Sequence, residues 1–142
     1  VTGEIKLSNN SIFRLHSSYG SSSGVIISGI DESTSAGYIE ISNSAEVSGS
    51  GSPNSFVILL SQREMGSNAI KTSNSSSAAI LYAGEGEVEI DNSAALKEVT
   101  AHKLKIKNYA TVTYSSGLQN VNFTNGPGGS WTVVPGTYAI TR

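Results

Sequence analysis

The chain has 142 residues, a hydrophobic fraction of 37%, a charged fraction of 14% and a formal net charge of −2. The length fits one domain, and the many Ile and Val residues at low net charge exclude general disorder. The 9 Lys and Arg residues supply no basic stripe for nucleic acid, and the absence of cysteine excludes disulfides and thiolate metal sites.

One short pattern recurs along the chain: an apolar residue, any residue, an apolar residue, a polar residue and Asn, with a small residue two places later. The first three copies are Ile5-Lys6-Leu7-Ser8-Asn9, Ile39-Glu40-Ile41-Ser42-Asn43 and Ile70-Lys71-Thr72-Ser73-Asn74. The next three are Val88-Glu89-Ile90-Asp91-Asn92, Leu104-Lys105-Ile106-Lys107-Asn108 and Val121-Asn122-Phe123-Thr124-Asn125. Such self-similarity is typical of stacked repeat architectures.

The spacing of these asparagines predicts the number of turns. From Asn74 onward the steps are 18, 16 and 17 residues, whereas the two earlier steps are 34 and 31. We interpret the earlier steps as double, each with one degenerate copy: Val25-Ile26-Ile27-Ser28-Gly29 in the first and Phe56-Val57-Ile58-Leu59-Leu60 in the second. This interpretation predicts about eight turns of roughly 17 residues.

The residue pattern of a single copy predicts a strand with one buried face followed by a corner. Alternation indicates a strand with one buried face, so Ile39 and Ile41 point inward and Glu40 points outward. Asn tolerates the left-handed backbone region, which suits a corner, and stacked Asn amides can join in a ladder of hydrogen bonds. A second apolar position four residues past the Asn predicts a second inward strand in each turn; it holds Phe13, Val47, Leu96 and Val112.

The sequence therefore predicts an all-β fold, a single-stranded parallel β-helix (solenoid) of about eight short turns with an Asn ladder and almost no helix. The predicted ladder consists of Asn9, Asn43, Asn74, Asn92, Asn108 and Asn125. An antiparallel sandwich is the alternative, but it does not require one Asn at a near-constant step. Residues 1–142 form a single domain in this interpretation, 126–142 are a terminal tail or cap, and the Gly/Ser-rich segments 17–24 and 48–55 are corner loops.

Three further expectations follow from the pattern. The runs Val25-Ile26-Ile27 and Phe56-Val57-Ile58-Leu59-Leu60 do not alternate, so both faces of these strands are expected to be covered by another segment or subunit. The longer run is far short of the ~20 residues of a membrane helix. Stacking in register predicts an outward column of alternating charge through Lys71, Glu89 and Lys105. A start at Val1 without a signal-like segment suggests a processed product or an excised domain.

The segment from Val88 to Trp131 carries a resemblance to a known family. Its motifs are Val88-Glu89-Ile90-Asp91-Asn92-Ser93-Ala94, Val99-Thr100-Ala101-His102-Lys103-Leu104-Lys105-Ile106 and Gly126-Pro127-Gly128-Gly129-Ser130-Trp131. It resembles the C-terminal β-helical region of pilus-assembly-like surface proteins with a PilX-type N-terminal segment, from candidate-phyla bacteria. The resemblance implies export to the cell surface and an upstream pilin-like helix, and it carries over no site residue. A looser similarity is to bactofilins, cytoplasmic β-helices that polymerise end to end.

Residues that could carry chemistry are few. A glycoside hydrolase needs a carboxylate pair, and the candidates are Asp31, Glu32, Asp91 and Glu98. A polar corner explains Asp91, and a solvated acidic loop explains Asp31 and Glu32. His16 and His102 lie far apart and in no ligand-spaced cluster, so no metal site is expected. Trp131, Tyr138, Tyr109 and Tyr114 are candidates for stacking on sugars, although core packing or capping of a stack end also explains them.

The sequence thus predicts a non-catalytic extracellular or cell-surface structural or adhesive module that uses no cofactor, and the resemblance implies an association with pili. Expected partners are other proteins or further copies of the chain, through the solenoid ends, and surface glycans; nucleic acid is not expected, nor a membrane span. The alternatives are a bactofilin-like intracellular scaffold that forms polymers and a carbohydrate-binding or carbohydrate-active β-helix.

Overall fold

The computed structural model describes residues 1–29, 36–64 and 68–114. These residues form ten strands and one short 3-10 helix, Ser17–Tyr19. The strands are β1 (Ile5–Leu7), β2 (Ile12–Arg14), β3 (Gly24–Ser28), β4 (Ile39–Ile41), β5 (Glu46–Ser48), β6 (Val57–Ser61), β7 (Asn68–Thr72), β8 (Ser77–Ile90), β9 (Ala95–Ile106) and β10 (Thr111–Val112). The prediction of an all-β fold with almost no helix is confirmed. No helix in these ranges is long and apolar enough to cross a membrane.

The strands pair in parallel and bend round on themselves in a solenoid-like arrangement with three sides. The first side consists of β1, β4, β7, residues 87–90 and residues 103–106. The second side consists of β2, β5, residues 77–78, residues 95–96 and β10. The third side consists of β3, β6, residues 80–83 and residues 98–101. Each segment therefore pairs with the segment on the same side of the next turn, and not with the segment of the next side of its own turn.

The register corrects the predicted number of turns. Ile5 pairs directly with Ile39, and Ile39 pairs directly with Ile70, so the steps of 34 and 31 residues are single turns. The supposed degenerate copies are β3 and most of β6, which pair with each other on the third side. Within the described ranges the chain makes five turns, the last of them incomplete, and the prediction of about eight turns was wrong in counting each long turn twice. The predicted loops at 17–24 and 48–55 lie between the second and third sides of these long turns and lengthen them.

Each corner after the first side has the same backbone conformation. Two consecutive residues take positive φ, as at Asn43 (54°) with Ser44 (60°) and Asn74 (55°) with Ser75 (59°). The amide of the residue after this pair donates to the carbonyl three places earlier, as from Ala45 to Ser42. This geometry is that of a type I′ turn, in which Asn is favoured. The left-handed corner predicted for Asn is confirmed.

Hydrogen bonds also join one corner to the next. The amide nitrogen of Ser44 donates to the carbonyl of Asn74 at 2.9 Å, and that of Ser75 donates to the carbonyl of Asn92 at 2.9 Å. The side-chain amide of Asn43 donates to Asn9 at 3.3 Å, that of Asn74 to Asn43 at 2.9 Å and that of Asn92 to Asn74 at 3.0 Å. We call this set the asparagine column. Asn108 donates instead to the Asp91 carboxylate at 2.7 Å, and Asn125 lies outside the described residues.

The interior is a narrow apolar column. Ile39, Ile41, Ile70, Val88 and Ile90 of the first side are fully buried. Residues of the other two sides pack against them, among them Val47, Leu96, Leu59 and Leu81. The small residues two places past the corner asparagines also point inward, and Ala45 and Ala94 are fully buried there. The alternation predicted for the first side, and the second inward strand at Val47 and Leu96, are confirmed.

Among the fully buried polar side chains, Thr72 gives a testable prediction. Thr72 stands between Ile41 and Ile90 in the register, and its buried hydroxyl has no hydrogen-bond partner among the described residues. Removing an unsatisfied buried hydroxyl while keeping the side chain's shape is favourable. We expect Thr72→Val to raise the free energy of unfolding by about 1 kcal/mol in urea titrations followed by circular dichroism. Thr100→Val, on an exposed strand position, is the control and should change it by less than about 0.5 kcal/mol; a destabilised Thr72→Val protein would contradict the assignment.

Candidate functional site

Charged side chains cover the outside of the first side. The register places Lys6, Glu40, Lys71, Glu89 and Lys105 one above another. Glu89 is therefore flanked by Lys71 and Lys105 at the backbone, as the predicted column requires. The side-chain contacts are Lys6 to Glu40 at 3.0 Å and Lys71 to Glu89 at 3.7 Å, and Lys105 turns to Glu87 at 2.6 Å. The column thus extends through five turns and gains a second row.

These ion pairs shift the protonation of their members. Hydrogen bonds from Lys105 and Lys103 lower the pKa of the Glu87 carboxyl. The hydrogen bond to Glu89 raises the pKa of the Lys107 ammonium, and Glu40 raises that of Lys6 in the same way. The lysine side chains are 36–62% exposed, so water and salt screen these pairs, and the charged side favours the register of the turns more than it stabilises them.

The outside of the third side is apolar instead. Two outward columns run across its first three strands: Val25, Ile58 and Ile80 in one, and Ile27, Leu60 and Tyr82 in the other. Val25 and Ile27 are each 46% exposed and Tyr82 is 43% exposed. Phe56 and Ile80 are buried in a small cluster with Ile58, separate from the main interior. We call these six column residues the apolar surface. On the inward face Val57 and Leu59 are fully buried and Ile26 is half-buried, whereas on the outward face Ile58 and Leu60 are half-buried and only Ile80 is buried.

A small cleft borders the apolar surface at the corner that leads to the first side. It has a volume of about 400 Å³ and is lined by residues that include Leu60, Gln62, Glu64, Tyr82 and Glu85. The Tyr82 ring lies over Gly84, where an added Cβ would come within 2.9 Å of the phenol oxygen. The absence of a side chain at Gly84 therefore leaves room for the tyrosine ring in this orientation. Polar groups rim the apolar surface on this edge.

A larger groove runs over the second side. It has a volume of about 720 Å³ and crosses β5, β8, β9 and the residues after β10. Its lining includes Glu46, Ser77, Ala95, Lys97, Thr113 and Tyr114, with Phe56 at the corner to the third side. We call it the second-side groove.

Of the four carboxylates considered from sequence, the structure describes Asp91, at the corner after the first side, and Glu98, on the third side. Asp91 accepts hydrogen bonds from the backbone amide of Asn92 and the side chain of Asn108, which explains it as a corner residue. The His16 ring accepts from the backbone amide of Ser18 and caps the 3-10 helix. Within the three described ranges, no group of three His, Cys, Asp or Glu residues could hold a metal ion. Asp31 and Glu32 lie outside those ranges.

Two of the four aromatic residues considered for stacking on sugars lie in the part of the chain that the structure describes. Tyr114 is 59% exposed and lines the second-side groove, whereas Tyr109 is at a corner and almost fully exposed. Trp131 and Tyr138 are among the residues that are not described. Sequence reasoning did not single out Tyr82, because an aromatic residue on a strand without alternation gives no signal of which side it faces. Phe56, which belongs to the apolar run expected to be covered, lies just before β6 and is buried. Phe56 is covered by Lys97, whose Nζ lies 4.8 Å from the ring centroid.

No family model, no curated protein and no solved structure matches this chain.

Proposed function

We propose that this protein is a non-catalytic structural or adhesive module, secreted or displayed at the cell surface. In this proposal the whole chain is one β-solenoid and the asparagine column is its structural ladder; the terminal tail or cap predicted at 126–142 lies outside the described residues. The resemblance to pilus-assembly-like surface proteins suggests the same location. The observation that carries the proposal is the apolar surface on the third side.

Exposed apolar residues in adjacent columns mark interaction sites when they lie on an otherwise polar protein. Val25 and Ile27 are exposed on β3, and Tyr82 is exposed on β8 across the intervening β6. The outside of the first side is occupied by ion pairs. No Lys or Arg stands in either column, so the surface suits an apolar patch on another protein rather than an anionic polymer. Hydrophobic contact is non-directional, so this surface suits attachment to another protein better than catalysis.

The size of the apolar surface indicates how it works. Three parallel strands span only about 10 Å between the outer two, since neighbouring strands lie about 4.8 Å apart. A stable one-to-one interface needs about 800 Å² on each partner, which is more than such a patch supplies. A single contact is therefore weak, and firm attachment requires many copies on one support, as in a fibre or on a cell surface. The rigid stack of turns holds each patch at a fixed distance from its attachment point.

The test uses cells of the source organism in which the wild-type gene is replaced by variants. We expect wild-type protein to stay with washed cells and to be cleaved by protease added outside. The triple variant Val25→Ser, Ile27→Ser, Tyr82→Ser should be released into the medium about tenfold more, because each truncated apolar anchor weakens an interface substantially. Ile12→Ser, which changes a 63% exposed isoleucine on the second side, is the matched control and should stay bound.

Two results would contradict the proposal. Recovery of the protein only from cytoplasm would remove the surface location and favour a bactofilin-like scaffold. Equal retention of the triple variant and wild type would show that attachment does not use the apolar surface. Circular dichroism of the purified variants separates both results from misfolding.

A further inference from the structure

The floor of the second-side groove follows one column of the register, which contains Glu46 and then the small residues Ser77 and Ala95 on successive strands. At the far end, β10 is followed by Thr113 and Tyr114. From β5 to β10 there are three strand steps, about 14 Å, so the groove runs along the stack of turns. Serine and alanine on its floor leave room for a ligand to lie against the sheet.

The floor offers no free backbone to a ligand. The amide of Ser77 donates to the carbonyl of Ala45 at 3.0 Å, and the amide of Ala95 donates to that of Ser76 at 3.0 Å. The amide of Thr111 donates to Ala94 at 2.9 Å, which continues the pairing to β10. A peptide that adds a strand to a sheet needs an unpaired edge, and this groove is a sheet face. Recognition in the groove must therefore use side chains.

The charges in the groove are balanced. Glu46 is near Arg14, with 3.8 Å between the charged atoms, and Lys97 stands over the Phe56 ring. An anionic polymer would be attracted by one lysine and repelled by a glutamate. A lipid chain would lie against hydroxyl groups. The lining thus suits a neutral ligand that both donates and accepts hydrogen bonds.

Hydroxyl and aromatic groups complete this chemistry. The hydroxyls of Ser77 and Thr113 make no side-chain hydrogen bond within the described chain, so they are available to a ligand. The exposed Tyr114 ring provides an apolar face at one end, where the C–H face of a sugar ring can pack. Few ligand classes combine an apolar face with many neutral hydroxyls.

We propose that the second-side groove binds a neutral oligosaccharide, with Tyr114 stacking on one ring and Glu46, Ser77, Lys97 and Thr113 bonding to hydroxyls. The site is separate from the apolar surface. Only its biological role, adhesion to glycans, rests on the proposed function.

The test is isothermal titration calorimetry of the full chain with six soluble probes: the tetrasaccharides of cellulose, chitin, xylan, β-mannan, amylose and laminarin. We expect saturable binding of at least one probe. Tyr114→Ala should weaken it at least tenfold, because it removes the stacking ring but no buried contact. Ala95→Arg should abolish it by filling the floor. Tyr109→Ala changes an exposed corner tyrosine and is the control, with affinity within twofold of wild type.

Binding of none of the six probes overturns the inference, and so does binding that survives both Tyr114→Ala and Ala95→Arg. The triple variant of the apolar surface should keep its saccharide affinity. If that variant leaves the cell surface but no probe binds to wild type, the groove proposal fails and the proposed function stands. If a probe binds but the protein is cytoplasmic, the proposed function fails and the groove stands.

Discussion

Replacement of Ile70 by alanine is expected to lower the free energy of unfolding by about 2–5 kcal/mol. Ile70 is fully buried on the first side and stands between Ile39 and Val88 in the register. Strands lie above and below it, so the backbone cannot close the cavity that the substitution leaves. The cost then includes the lost burial of the side chain and the residual void.

The matched control is Ile12→Ala, which removes the same atoms from a 63% exposed side chain on β2. It should change the free energy of unfolding by no more than about 0.5 kcal/mol. Urea titration followed by far-ultraviolet circular dichroism measures both, provided that the slope with denaturant is unchanged. Similar losses for the two variants would mean that the first side does not form the interior.

Much of the first side could be predicted from the sequence because one strand type repeats there. Ile39, Glu40 and Ile41 alternate, and Asn43 follows at a fixed distance, so period and corner chemistry agree. Agreement between local conformation and burial pattern makes such an assignment reliable. The same agreement placed Lys71, Glu89 and Lys105 in one column.

The lengths of the turns could not be predicted in the same way. Third-side strands such as Val25-Ile26-Ile27 are apolar on both faces, so period two disappears and they resemble weak copies of the first side. A loop between the second and third sides adds residues without adding a turn, since loop length costs little free energy. Repeat spacing alone therefore cannot distinguish one long turn from two short ones.

Side-chain partners and concave sites depended on details that the pattern does not contain. Lys105 turns from Glu89 to Glu87, because a long flexible side chain reaches either carboxylate. Tyr114 was among the aromatic candidates, but the groove beside it required the small residues Ser77 and Ala95 to stand in register. The register of Ser77 and Ala95 follows from strand pairing, which the sequence pattern does not determine.

The asparagine column leads to the second large expected effect, at Asn74. Its φ is 55°, its side-chain amide donates to Asn43, and its side-chain carbonyl accepts from Asn92. Alanine at this position loses both bonds and must also adopt the left-handed backbone region, which costs about 1–2 kcal/mol. Each lost hydrogen bond adds about 0.5–1.5 kcal/mol. Asn74→Ala is therefore expected to lower the free energy of unfolding by about 2–5 kcal/mol.

Two further variants separate the two contributions. Asn74→Gly removes the side-chain bonds but adopts positive φ freely, so its loss should be smaller than that of Asn74→Ala. Asn54 also has positive φ, 64°, but makes no side-chain hydrogen bond within the described chain, so Asn54→Ala measures the backbone cost alone. The loss in Asn74→Ala should approach the sum of the losses in Asn74→Gly and Asn54→Ala. If Asn74→Gly is as stable as wild type, the amide bonds contribute nothing, and asparagine is required at the corner only for its backbone conformation.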